Sequence, residues 1–232
     1  MNGETLAGIA GLGLPVLCLD TCMVLDAMRD PTREQIRPHD REAGLALLSA
    51  AEAGTALVTL AADQVQLEFS SNVDVVEAEA TRSLARLREQ LGRIDGVAAV
   101  YGARGTTNLA HLDDHVPRSR RVAERWMAAA VGVERSPEVA SRAFARLNAA
   151  RAPARKGKDS MKDCVVVETY IEAAAALRAA GLSSPIVFAS SNTADFTDGP
   201  GSRLRAELVH DFAAARIEYA PNLGAARHLL GL

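Results

Sequence analysis

Val16-Leu17-Cys18-Leu19-Asp20 is the stretch that decides the fold. Four apolar residues closed by a carboxylate suit a central parallel strand, buried on both faces, with the acid at its carboxyl end. Helix and strand patterns alternate outward from it. Residues 41–53 read as a helix stopping at Gly54, and Thr55 to Leu60 as a second strand. Asp63 suits a helix cap with Gln66 as its reciprocal partner, and Glu68 follows within two turns. That pattern runs, with a break, to about Leu91; residues 97–101 fit a strand or a helix.

Residues 102–118 read as loop and 119–131 as helix. Ser136-Pro137-Glu138 carries cap, proline and acid in the order a helix start requires, for a helix to about Ala150. After a basic loop over 151–159, Ser160 suits the cap of a helix that ends at Gly181. A strand at 185–189, a turn at 198–201, a helix over 202–214, a short strand at 216–219 and a helix capped by Asn222 complete the chain. Strands alternating with helices give an α/β fold, and four to five strands give a central, mostly parallel sheet between two helical layers. The 95 residues from Glu68 to Asp163 are mainly helical. They read as an elaboration at about 78–150 on a single domain spanning 1–232.

The chain has 232 residues, 48% of them hydrophobic and 4% aromatic, so alanine, leucine and valine must build most of one core. Net charge is −3, which leaves nucleic-acid binding to a local patch. Of 26 basic residues only three are lysine, Lys156, Lys158 and Lys162, and they share one segment with Arg155. That segment is the expected phosphate contact. Cys18, Cys22 and Cys164 form no disulfide or zinc pattern and suit a reducing cytoplasm. The apolar run Leu6 to Leu19 lacks a basic flank and is too short to span a bilayer, so no membrane association is expected; it reads as a leader into the first strand.

In an open α/β sheet, ligands bind beyond the carboxyl ends of the strands. Asp20, Glu68, Asp163 and the run Ser190-Ser191-Asn192-Thr193-Ala194-Asp195 all fall at that edge. Each alone has a bland alternative: Asp163 suits the third helical position of a box capped by Ser160, and Asp26 and Asp30 suit surface charge. Together, carboxylates on one rim repel one another unless a cation neutralises them, and oxygen donors without His or Cys suit Mg²⁺ or Mn²⁺.

These segments, in this order, resemble the PIN domain. The carriers are Leu19-Asp20-Thr21-Cys22 after an apolar strand, with Cys22 where Asn is usual, and Glu68 on the helix after strand two. Lys158-Asp159-Ser160-Met161-Lys162-Asp163 opens a helix, and Ser190-Ser191-Asn192 with Asp195-Phe196 follows a strand. The match covers about 15 to 225 and is closest to a larger subgroup with a helical insertion. The resemblance implies a metal-dependent nuclease in which Asp20, Glu68 and Asp163 are catalytic. They would ligate Mg²⁺ or Mn²⁺, joined by Asn192 and Asp195. Thr21, Ser190, Arg155, Lys158 and Lys162 would contact or orient substrate. It further implies phosphodiester hydrolysis, RNA ahead of DNA, with a protein antitoxin or a homodimer as further partners. Asn192 stands where many members carry a fourth acid, which motivates a second expectation, a non-catalytic RNA-binding module. A small-molecule phosphohydrolase is the third. A haloacid-dehalogenase loop is excluded because Cys22 replaces its second Asp, and His111-Leu112-Asp113-Asp114-His115 lacks the Glu of a zinc protease.

Overall fold

The computed structural model describes residues 3–33, 37–155, 157–199 and 203–232; Lys156 and the end of the turn expected at 198–201 lie outside the described residues. Five strands form one sheet: β1 (Val16–Leu19), β2 (Val58–Ala62), β3 (Val131–Val133), β4 (Ile186–Ala189) and β5 (Glu218–Ala220). Their order is β3-β2-β1-β4-β5, and every pair is parallel. The chain steps from β1 outward through β2 to β3, then returns to the other side of β1 for β4. The strand order therefore reverses between β1 and β4, where an open α/β sheet leaves a crevice beyond its strand ends. Leu19 pairs with Ala61 on one side and Ala189 on the other, so Asp20 and Ser190 emerge side by side at that reversal.

The alternation of side chains along β1 divides the core. Val16 and Cys18 point into a cluster with Leu60, Tyr170, Phe188 and Phe212. Leu17 and Leu19 point into another with Leu47, Leu48, Trp126 and Leu223. All four residues of β1 are at most 1% exposed, which explains why the run carries no polar alternation. Each such leucine or valine contributes about 1.5–3 kcal/mol by burial. The first face is covered by α1 (Gly3–Leu12), α7 (Met161–Ala179) and α9 (Ala206–Ala215), with α6 (Pro137–Asn148) packed on α7. The second is covered by α2 (Thr21–Leu25), α3 (Pro38–Ala53), α5 (His115–Ala129) and α10 (Leu223–Leu230). The expected three-layer α/β/α fold is the one the chain adopts.

Two caps form as read: Ser136 Oγ accepts from Val139 N, and Asn222 Oδ1 accepts from Ala225 N. Others differ. The apolar leader is helical over Gly3–Leu12, β2 begins three residues later than expected, and α5 starts four residues early. Asp63 is the first helical residue of α4 (Asp63–Val100), and its side chain accepts from the next amide, Gln64 N, so no capping box with Gln66 forms. α4 is one unbroken helix of 38 residues, about 57 Å long at 1.5 Å per residue. Its first half packs down through Val65, Val73, Val76, Ala80 and Leu84, and no described residue beyond Leu84 is buried. The segment 78–150 is not wholly helical: Val131–Val133 adds the edge strand β3 to the sheet, and Trp126 enters the core. α8 (Thr193–Phe196) is a single turn after β4. Among the described residues no helix is long and apolar enough to cross a membrane.

Candidate functional site

Beyond the carboxyl ends of β1 and β4 lies a cavity of about 920 Å³, and Asp20, Glu68, Asp163 and Asn192 all line it. The three acids come from three different elements. Asp20 follows β1 and caps α2, its Oδ1 accepting from Thr21 N at 2.7 Å. Its Oδ2 accepts from Ser190 Oγ at 2.5 Å and from Cys22 Sγ at 3.2 Å. Glu68 projects from the second turn of α4, and Thr21 Oγ1 donates to it at 3.1 Å. Thr21 thus ties Asp20 and Glu68 together through its amide and its hydroxyl. Gln64 Nε2 holds the other oxygen of Glu68 at 3.0 Å.

Asp163 sits in the first turn of α7. The bland reading of that acid does not apply: Ser160 makes no side-chain cap, and its buried hydroxyl has no partner among the described residues. Asp163 accepts no hydrogen bond from any described residue. Burial, then the charges of Asp20 and Asp195, push its carboxyl up to about 7, with Lys158 pulling the other way and Glu68 adding to the rise. Burial also raises Asp20 against the hydrogen bonds of Ser190, Cys22 and Thr21, and Glu68 adds to that rise. The carboxylates are therefore close enough to feel one another's charge. Among the described residues, no three Asp, Glu, His or Cys side chains converge closely enough to chelate an ion where they stand.

Beneath the acids, α7 is pinned to the sheet by Tyr170. Its buried hydroxyl donates to Leu19 O at 2.5 Å and accepts from Ala62 N at 2.9 Å.

Several expected site residues have other duties. Ser190 is fully buried; its hydroxyl donates to Asp20 and accepts from Asn192 N, so it orients a carboxylate and does not reach substrate. Asp195 is fully buried too and is not on the cavity wall. It is held by Lys158, by Asn192 Nδ2 at 2.8 Å and by Arg155 Nε at 3.4 Å. Burial pushes Asp195 up, but those three partners together outweigh it and leave the carboxyl below its ordinary value. Asp195 is thus the anchor of a loop and stands away from the lining that Asp20, Glu68 and Asp163 share. Arg155 and Lys158 are drawn to it, and Arg155 also donates to Ala194 O. Neither lines the cavity, and nor does Lys162, which is exposed.

Asn192 keeps its place. The ionised Asp195 can only accept, which fixes the amide nitrogen of Asn192 toward it and leaves Oδ1 as the free donor atom. Cys22 is a neutral thiol, because burial and then Asp20 raise it well above the ordinary thiol range. Its sulfur accepts from Ser191 N at 3.2 Å and lies 3.4 Å from Ser190 Oγ, fastening the loop after β4 to the end of β1.

The positive charge comes from a place the sequence reading passed over. Arg29, Arg33, Arg37 and Arg41 line the same cavity as the acids, accompanied by Asp26 and Asp40. Arg29 is paired with Asp26 at 2.7 Å, so Asp26 belongs to the cavity rim. The four-residue spacing of these arginines was a visible signal. Pro31 and Pro38 interrupt the segment, so no single helical face announced it. Asn72, also on the wall, donates from its side chain to Glu68 O. Comparison with protein-family models, with curated proteins and with solved structures finds no match to this chain.

Proposed function

We propose that this protein is a divalent-metal-dependent nuclease that hydrolyses phosphodiester bonds in RNA. The observation that supports it most is the shared cavity: Asp20, Glu68 and Asp163, from three separate elements, line it together with Arg29, Arg33, Arg37 and Arg41. The donor set fits Mg²⁺ or Mn²⁺. It is all oxygen, hard and rich in negative charge, and burial, with the charges of Asp20 and Asp195 adding to it, raises Asp163 in a way that a bound cation would offset. Asp20, Glu68, Asp163 and Asn192 Oδ1 would hold the ion. When bound, it supplies charge neutralisation and polarisation at a phosphoryl oxygen.

The chain's own residues do the rest. Thr21 and Ser190 fix Asp20, Thr21 and Gln64 fix Glu68, and the arginines offer donors to phosphate oxygens. The choice of RNA over DNA rests on the family resemblance alone, as do an antitoxin and a homodimer, whereas a cytoplasmic location rests on the three free cysteines.

Purified protein is expected to cleave RNA with Mg²⁺ or Mn²⁺ and to lose at least about a hundredfold of that rate in Asp20→Asn. Intact RNA under both metals, or a variant equal to the parent, sinks the reading. A second reading, a binding module without turnover, is favoured by the amide at 192, which lowers the charge of the donor set. It expects metal-independent RNA binding and no cleavage.

A further inference from the structure

A second pocket adjoins the acid cavity and shares Arg29, Arg33 and Val76 with it. It encloses about 270 Å³ over the middle of α4 and is lined by Arg29, Arg33, Arg82 and Arg86, with Asp30 and Glu79. Four guanidiniums thus face two carboxylates. One of those, Asp30, is committed to the amide and hydroxyl of Thr32. Arg29 is paired with Asp26, outside this pocket; Arg33 acts on Asp30 through its charge without a direct ion pair, and Arg82 and Arg86 hold no ion pair among the described residues.

Arg82 and Arg86 lie four residues apart on an exposed stretch of α4, so they occupy one face and neighbouring turns. Residues from Asn72, on the acid cavity, to Arg86 cover roughly 21 Å of helix axis. A phosphate-sized substrate bound among the acids has no use for cations that far away. A strand with a charge on every nucleotide does.

We infer that the pocket at Arg33, Arg82 and Arg86 is a second phosphate seat, which binds the backbone of the same polynucleotide several nucleotides from the bond that is cut. The inference rests on the nuclease reading and specifies its substrate as a chain and not a nucleotide. Arginine suits the task because its fork donates to two phosphate oxygens at once and never loses its charge.

The test compares Arg82→Ala/Arg86→Ala with the parent. Fluorescence anisotropy would follow binding of a single-stranded RNA of about 15 nucleotides and of a dinucleotide, across a salt series, in EDTA so that nothing is cut. The parent should bind the longer RNA more tightly. The double variant should lose about tenfold on the longer RNA, with no matching loss on the dinucleotide. Its slope of log K against log salt should shrink by about 1.4, two phosphates at about 0.7 each. Arg93→Ala/Arg227→Ala removes the same charge away from both pockets and should leave affinity and slope near those of the parent. Equal melting temperatures for all three proteins exclude misfolding, since all four arginines are exposed.

If the double variant binds the longer RNA with the parent's affinity and slope, the second seat is overturned while RNA cleavage by the parent still stands. If the control pair weakens binding equally, the effect is bulk charge and the inference also fails. If the parent neither binds nor cuts any RNA, the nuclease reading falls and takes the seat with it.

Discussion

Two basic segments invite comparison, the loop around Arg155 and Lys158 and the run from Arg29 to Arg41. By sequence the first is the more conspicuous, because it holds every lysine in the chain. In the fold it is bound inward: Lys158 and Arg155 both pair with the buried Asp195. The second run is scattered between prolines, yet its arginines face the cavity. The difference teaches that a charge is available to a ligand only after its internal partners are counted. A buried carboxylate claims the nearest cations first, because leaving it unpaired is costly.

The largest effect should come from removing the claimant. Asp195→Ala strands Lys158 and takes away the partner of Asn192, and should lower stability by about 2 kcal/mol in urea unfolding. The cations are half exposed and can turn to water, which keeps the loss below that of a wholly buried pair. An unchanged midpoint would mean the inward pairing is not what holds this loop.

Arg33→Ala/Arg37→Ala should do the converse, weakening RNA binding about tenfold with stability within about 0.5 kcal/mol of the parent. Lys158→Ala should chiefly affect stability. If Lys158→Ala weakens binding as much as the arginine pair does, the division between the two regions is wrong.

Asn192→Asp sharpens it further. An acid here would add charge to the proposed metal site, but the new carboxylate faces Asp195, where the Asn nitrogen now donates at 2.8 Å. The expected result is a loss of about 1 kcal/mol and no gain in cleavage at neutral pH. A clear gain in rate would show that the site's charge outweighs the loop's pairing.

The last comparison concerns pH. Asp163 titrates from 3.8 in its ordinary state and near 7 in the fold, so the folded chain holds a proton that the unfolded chain has lost between those values. Its contribution to stability is therefore highest at low pH, declines as pH rises toward about 7, and is level beyond. Asp163→Asn cannot titrate. The melting temperature of the parent minus that of the variant should fall from pH 4 to 7. In Lys158→Ala, without the nearby cation, the fall should extend to higher pH. Parallel curves for parent and Asp163→Asn would contradict the raised Asp163 that burial and the neighbouring acids produce.

Local chemistry made the outline legible. The apolar run ending in Asp20, the Ser136 and Asn222 caps and the strand before Ser190 each depend on residues within a turn of themselves, and each was placed correctly. The three acids of the candidate site were also named from their position at strand ends and helix starts. What escaped depended on distant partners. β3 is three residues long, too short for any period, and exists because β2 is there to pair with. α4 continues through Gly92 and Gly96, against helix propensities of about 1 kcal/mol each, aided by neighbours such as Glu89 and Arg93 at 2.7 Å. Asp195 looked like a ligand until its partners from 158 and 155 were in place, and the cavity's arginines lie at 29, 33 and 37 between α2 and α3 and at 41 in α3, where no single helical face announces them.

The Tyr170 hydroxyl carries a consequence for all of this. It touches the residue before Asp20 and the residue before α4, while its own helix carries Asp163 seven positions earlier on the same face. The three acids therefore share a single datum. One oxygen in the core, out of reach of solvent, thus touches the backbone leading into Asp20 and into α4. Tyr170→Phe, which leaves Ala62 N without a partner, would not displace one acid against two fixed ones. It would let the whole set drift out of calibration together.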